Sequence, residues 1–209
     1  MVYKVKEADS FSNNGCEIGE LNNFMGDFPT HFPKAKFKLS YNEKSLLLRF
    51  DLQDNFVIAN SENHFDNVWE DSCVELFFTP STNNEDGYFN LEINCCGKVY
   101  FQHQKSKRNQ VKRMDINDID KLNVKSSFSG SIKEEIVKPT NWFIECEIPF
   151  DILAKYSRIE LPSIGVEWRA NLYKCADASS HPHWLTWNKI DFPEPNFHLP
   201  EFFGELHFE

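Results

Sequence analysis

A chain of 209 residues with 32 acidic against 22 basic side chains carries a formal net charge of -10. That balance repels phosphate backbones and anionic membranes, and so argues against nucleic acid or a membrane surface as partner. The length suits one all-β unit, and no linker, repeat or low-complexity tract divides it, so residues 1–209 are read as a single domain. Residues 1–10 lack a continuous apolar h-region, and no run approaches about 18 apolar residues. The expectation is a cytoplasmic protein, or a secreted or periplasmic one if a leader has been removed.

Along the chain the dominant pattern is period-two alternation, the mark of a strand with one face buried. Weak strands are expected at 2–8 and 35–41. In SLLLRFDL (45–52), Leu46, Leu48, Phe50 and Leu52 share a face. In SCVELFF (72–78), Val74, Leu76 and Phe78 do so, and in YFNLEINCC (88–96), Phe89, Leu91, Ile93 and Cys95 oppose Tyr88, Asn90, Glu92 and Asn94. Another weak strand follows at 98–104, then KSKRNQVKR (105–113), five cations in nine residues, which reads as a solvated loop or an anion site.

Helical pattern is confined to parts of 114–122 and 150–157, with a weak strand predicted at 121–128. WFIECEIPF (142–150) alternates Trp142, Ile144, Cys146 and Ile148 against Phe143, Glu145 and Glu147. GVEWRANLYK (165–174) alternates Val166, Trp168, Ala170 and Leu172 against Glu167, Arg169, Asn171 and Tyr173. Near the end, Pro193, Pro195 and Pro200 forbid regular ladder pairing, so a long ordered loop should lead into a last strand at 204–208. Ten or so strands at hairpin spacing predict an antiparallel β-sandwich of immunoglobulin-like or jelly-roll type. The 20 phenylalanines can fill its core, each burial being worth about 1.5–3 kcal/mol.

Few residues point to covalent chemistry. There is no GxSxG elbow, no GxGxxG and no P-loop. The cysteines at 16, 73, 95, 96, 146 and 175 fall mostly in apolar runs and read as buried thiols. His181 and His183 lie near Cys175 without zinc-site spacing. DINDIDKLNVKS (115–126) has the acid density of a calcium loop but sets Ile119 and Asp120 where a ligand and a glycine are needed. No cofactor is expected, and a structural calcium is left open. Glu75 and Glu92 are the strand acids that could form a glycosidase pair, although outward carboxylates are ordinary on an acidic protein. Trp69, flanked by acids, and Trp184 and Trp187 in HWLTWN stand in polar settings, where an indole can pack as a lid or present a flat apolar plate to a sugar ring.

VWEDSCVELFFTP (68–80), YFNLEINCCGKV (88–99) with the basic loop after it, WRANLYKC (168–175) and HWLTWNKIDFPEPNFHLPEFFGELHF (183–208) together resemble the family 9 carbohydrate-binding modules, and more closely the stand-alone family-9-like proteins. The resemblance implies a β-sandwich in which two tryptophans clamp a sugar ring. By motif position it makes Trp69 the first plate and Trp187 the second, and sets Glu75 at an acid used near the sugar. Asn90, Glu92 and Asn94 on the adjacent polar face, and Arg108 in the basic loop, are inferred to bond hydroxyls. Trp184 receives no role. The expected function is binding of a mono- or oligosaccharide without cleavage, in polysaccharide use. A glycoside hydrolase and a protein-interaction sandwich are the rivals, and the oligomeric state is left unassigned.

Overall fold

The computed structural model describes residues 1–11 and 15–209. Its described strands are β1 (Val2–Glu7), β2 (Gly19–Glu20), β3 (Asn23–Phe24), β4 (Lys34–Tyr41), β5 (Ser45–Ala59), β6 (Cys73–Thr79) and β7 (Tyr88–Asn94). They continue with β8 (Val99–Gln104), β9 (Lys112–Arg113), β10 (Lys125–Ser126), β11 (Ile132–Pro149), β12 (Glu167–Cys175), β13 (Trp184–Thr186) and β14 (Gly204–Phe208). Two single α-helical turns, α1 (Ile116–Ile119) and α2 (Phe150–Leu153), fall inside the two segments whose spacing predicts helix. The alternating runs all become strands. β5 and β11 outgrow their runs because each pairs with the other along the added length, from Pro149 opposite Ser45 to Ile132 opposite Ala59. Of 121–128 only two residues join a sheet, after Asn123 turns the chain with φ of 45°.

Eleven strands follow one path, β10-β11-β5-β4-β1-β14-β12-β6-β7-β8-β9, with β2 added at β4 and β13 then β3 added at β12. The pairing is antiparallel except at β1, whose residues 2–5 run parallel to β14 and whose Lys6 and Glu7 run parallel to β4. The protein is thus all-β as expected, but its sheet is mixed rather than antiparallel. Hairpin spacing constrains only strands that are neighbours in the chain, and β1 and β14 come from opposite ends with no short turn to set their direction.

By changing partner midway, β1 carries the sheet from one arm into the other, and the sheet curls into a half-barrel consistent with a β-sandwich. Between the arms, Phe37, Leu39 and Phe50 meet Leu76, Phe78 and Leu172 in one continuous core. Trp168 stacks on Phe78 at 5.8 Å, and its indole N–H donates to the Glu160 carbonyl at 2.8 Å.

This core contains a cation. Lys174, which faces the core from β12, donates to the Cys175 carbonyl at 2.9 Å and lies 2.8 Å from His183 Nε2 and 3.4 Å from Asp54 Oδ2. The other Asp54 oxygen meets His31 Nε2 at 2.8 Å. Burial and then the Lys174 charge hold His183 down at about 3, so the imidazole stays a neutral acceptor. His181, the other histidine of the HPH segment, stacks on Phe56 at 3.6 Å.

Trp187 joins the same core. It is 2% exposed and meets Tyr3 edge-on at 6.3 Å and Phe37 at 5.8 Å. Its backbone N–H donates to the Leu172 carbonyl at 2.9 Å, extending the β13 pairing by one residue and sending the ring inward. The close approach depends on Gly204, where an added Cβ would stand 2.8 Å from the Trp187 ring and 2.8 Å from the Met1 carbonyl oxygen. Trp187→Ala should therefore lower the unfolding free energy by about 3–5 kcal/mol in urea denaturation, as a core residue does, and Gly204→Ala should also destabilise the protein.

Candidate functional site

On the face of β6, β7, β8 and β12 turned away from the core lies a cleft of about 490 Å³. Register determines what it contains. Glu75 stands opposite Glu92 on β7 and opposite Tyr173 on β12, and Glu92 stands opposite Tyr100 on β8. Directly opposed residues share a face, so the two acids meet at the floor, 3% and 5% exposed, with Phe77, Gln102 and Cys175 beside them.

Trp69 belongs to a 3-10 turn, Val68–Glu70, anchored by the buried Val68 just ahead of β6. Its half-buried ring meets Tyr100 edge-on at 5.5 Å and lines the cleft. The acids around it part company. Glu70 stays in water and accepts from Asn67 at 3.0 Å, whereas Asp71 turns inward and accepts from the Asn60 N–H at 2.7 Å, the Ser61 N–H at 3.2 Å and Asn94 Nδ2 at 2.8 Å. A tryptophan beside two acids is thus held at the surface by one and pinned by the other.

The second indole of the cleft is Trp184, not Trp187. β13 pairs Trp184 with Cys175 and Thr186 with Tyr173, on the cleft side, while Leu185 pairs with Lys174 on the core side. The two tryptophans are three positions apart, an odd offset, and strand alternation puts them on opposite faces. Trp184 Nε1–H donates to Asp177 at 2.8 Å, and the Asp177 N–H points to the Trp69 carbonyl at 3.4 Å, so Asp177 ties the Trp184 indole to the Trp69 backbone.

The proline-bearing segment forms the far wall. Phe197 stacks on Tyr173 at 4.0 Å, and His198 Nδ1 lies 2.9 Å from the Tyr88 hydroxyl. Burial holds His198 down at about 4, leaving it neutral. Beside this wall the basic loop contributes Lys107, Arg108 and Arg113.

Of the residues singled out by sequence, Trp69, Glu75, Glu92 and Arg108 come together at the cleft. Asn90 lies behind it, fully buried, donating to Glu92 Oε1 and accepting from Gln104 Nε2, both at 2.9 Å, so it orients the acid. Asn94 is a structural residue. Its Nδ2 binds Asp71, and its Oδ1 accepts from the Cys96 and Lys98 N–H groups at 3.1 and 2.8 Å to hold the turn after β7. Trp184, noted in its polar setting, and Arg113, within the basic loop, line the cleft although sequence reasoning assigned neither a role there, and Tyr100, Gln102 and Asp177 are among the lining residues it passed over. The period-two pattern of 98–104 could have flagged Tyr100 and Gln102.

Burial drives the floor toward its uncharged form. Glu75 is pushed well above the usual carboxylate range by burial, then by Cys175 and Glu92, and burial pushes Glu92 up to about 8 against the bond from Asn90. Cys73 Sγ, Cys175 Sγ and a Glu75 oxygen lie within 4.8 Å of one another, the group among the described residues that could hold a metal ion. Two sulfurs and a carboxylate suit zinc rather than calcium. Here burial pushes Cys73 up to about 12 and raises Cys175, whose thiol donates to Glu75 Oε1 at 3.0 Å. In the acid-rich segment 115–126, Asp118 is bound by Lys155 at 2.5 Å and Lys121 at 3.1 Å.

A curled sheet bearing a cleft with indoles at its rim and buried acids at its floor defines a β-sandwich of the ligand-binding class. The chain belongs to carbohydrate-binding family 9, whose sequence profile matches residues 9–208. The crystal structure of a candidate carbohydrate-binding protein from Bacteroides uniformis is similar, with a TM-score of 0.89 and 27% identity over 100% of this chain and 99% of that one. Structures of a family 9 carbohydrate-binding module from Caldicellulosiruptor kristjanssonii share the fold at 15% identity. The complex with glucose has a TM-score of 0.64 and the complex with cellotriose 0.66, over 100% of this chain and 96% and 94% of theirs. A protein of Arthroderma benhamiae described as extracellular is 24% identical over 205 residues, 92% of this chain and 87% of its own. Among the described residues no helix is long and apolar enough to cross a membrane.

Because the Glu92 carboxyl holds its proton up to about 8 in the folded protein and to about 4.3 in the unfolded chain, folding takes up a proton between those limits. Its stabilising contribution is full below the lower limit and lost as pH rises through the upper one. Glu92→Gln should therefore flatten the fall in unfolding free energy between about pH 5 and pH 8 in a series of urea titrations. An unchanged slope would mean that Glu92 is ionised in the folded state.

Proposed function

We propose that the cleft binds a saccharide ring without cleaving it, with Trp69 and Trp184 as its two apolar plates. The observation that carries this reading is a pair of half-buried tryptophans, the Trp184 ring tied through Asp177 to the Trp69 backbone, beside a floor of buried carboxyls. An indole face suits the C–H face of a pyranose, while the hydroxyls at the ring edge need hydrogen-bond partners. Glu92 is suited to one of them. Its Oε2 is buried and has no hydrogen-bond partner among the described residues, and a carboxyl held protonated both donates and accepts. Glu75, Gln102 and Arg108 offer further polar atoms, and Asn90 acts through Glu92.

Family membership supports this reading, and the glucose and cellotriose held by the Caldicellulosiruptor module make gluco-configured sugars the first ligands to try. A hydrolytic pair divides its labour between one ionised and one protonated carboxyl. Here burial pushes both acids the same way, which favours binding over glycoside hydrolysis. A single ring buries few atoms, so affinity should fall in the micromolar to millimolar range. The extracellular Arthroderma relative favours an exported protein over a cytoplasmic one, and with it a role in capturing polysaccharide.

Calorimetric titration with glucose, cellotriose and a wider panel of oligosaccharides tests the site. Trp69→Ala and Trp184→Ala should each weaken binding at least about tenfold with an unchanged circular dichroism spectrum, and Trp187→Phe should retain it. Loss in Trp187→Phe with retention in Trp184→Ala would return the second plate to Trp187. Failure of every sugar to bind would move the function to a protein partner.

A further inference from the structure

The lip of the cleft gathers positive charge in a chain whose formal net charge is -10. Lys107, Arg108 and Arg113 line it, and among the described residues none of the three forms an ion pair with an acid. Some cations elsewhere are matched, among them Arg49 with Asp51 and Glu145, Lys133 with Glu62 and Lys155 with Asp118, so what distinguishes the lip is that its three cations converge on one cleft.

The three are also held in place. Arg108 has φ of 58°, a left-handed conformation that costs a side-chain-bearing residue energy and persists only where the surroundings impose it. Its N–H donates to Gln104 Oε1 at 2.7 Å, and the turn is closed by Lys105 N–H to the Asn109 carbonyl at 3.0 Å and Asn109 N–H to the Ser106 carbonyl at 2.9 Å. Gln104 in turn binds Asn90, which binds Glu92, so the lip is tied to the floor. Lys107 reaches Asn196 on the far wall at 3.0 Å. The Arg113 guanidinium lies over Phe65 at 5.0 Å and Tyr100 at 5.5 Å, and Tyr100 abuts Trp69. Stacking engages the flat faces of a guanidinium and leaves its edge N–H groups for a ligand.

The acids facing this lip do not offset it. Glu75 and Glu92 form the floor, where burial keeps their protons on. Asp177 belongs to the opposite rim, bonded to Trp184. The negative charge of the rest of the chain is screened over about 8 Å at physiological ionic strength, so the nearest cations govern the lip.

We propose that the saccharide taken by this cleft is anionic, carrying a carboxylate or sulfate that meets Lys107, Arg108 and Arg113 while a ring lies between Trp69 and Trp184. This rests on the saccharide-binding reading of the same cleft. Both anions present paired oxygens that match a guanidinium fork, and such charge-assisted bonds are the stronger class.

The test is calorimetry at low salt with trisaccharides of the gluco-, galacto- and mannuronate series, each beside its uncharged methyl ester, with a sulfated trisaccharide beside its unsulfated parent, and with cellotriose. At least one charged member should bind about tenfold more tightly than its uncharged twin, and that preference should shrink in 0.5 M NaCl, about the concentration that screens such contacts. It should disappear in the double variant Arg108→Asn, Arg113→Gln, in which asparagine tolerates the left-handed backbone. A preference in the uronate pairs identifies a carboxylate, and one confined to the sulfated pair identifies a sulfate. Equal or weaker binding of every charged member, with cellotriose bound, would overturn the anionic proposal and leave a neutral-sugar site. Binding of none, cellotriose included, would overturn the saccharide reading beneath it. The wild-type comparison decides the matter even if the double variant fails to fold.

Discussion

Strands β6 and β7 are buried along their whole length and on both faces, and strand alternation then decides which of two media each side chain enters. One set, Val74, Leu76 and Phe78 with Leu91 and Ile93, enters the apolar core between the arms of the sheet. The other set, with Glu75, Phe77, Asn90 and Glu92, enters a layer that Ile190, Phe197, Leu199 and Phe203 help to cover and that borders the cleft. Ordinary sheets set polar residues on the second face because water covers it. Here protein covers it, and each polar group sent there must find a partner or face a ligand.

Most find partners, and the partners are what fix the loops. Asn94 binds Asp71 and the turn after β7, while Asn171 Nδ2 donates to the Asn188 carbonyl and its Oδ1 accepts the Asn188 N–H, fastening the chain after β13 to β12. Asn90 and Gln104 run from Glu92 to the backbone of Arg108. Among the exceptions, Arg169 Nε and Thr186 Oγ1 lie outside the cleft lining. Glu92 Oε2 and the unpaired cations of the basic loop lie around one cleft, between the two indoles that the core did not absorb. An unmet polar group beside an exposed aromatic plate is what a sugar, apolar on its ring face and polar on its rim, can satisfy.

The core side carries the complementary exception. Lys174 shares its register position with Val74 and Leu185, yet it is charged, and Asp54, His31 and the neutral His183 gather around it. A buried ion pair adds little net stability but makes the loss of either partner costly. It therefore ties β12 to β5 and to the HPH segment, and so holds in place the strand from which Cys175 and the β13 pairing of Trp184 are built.

Period-two spacing, a local property of the backbone, was enough to read the all-β class, the core face of each long strand, and the common face of Glu75 and Glu92. The resemblance in motif order added Trp69 and Arg108. The same spacing, had the three residues of β13 been long enough to recognise as a strand, separates Trp184 from Trp187, but so short a run carries no visible period. Only the tertiary structure decided that Trp187 lies over Gly204 in the core, that β1 runs parallel between β14 and β4, that the proline-bearing segment covers Tyr173 and Tyr88 on the outer face, and that Asp71 turns inward to clamp Asn94. Alternation tells a side chain which way to point. What covers that face is decided by residues more than a hundred positions away, and no local pattern encodes it.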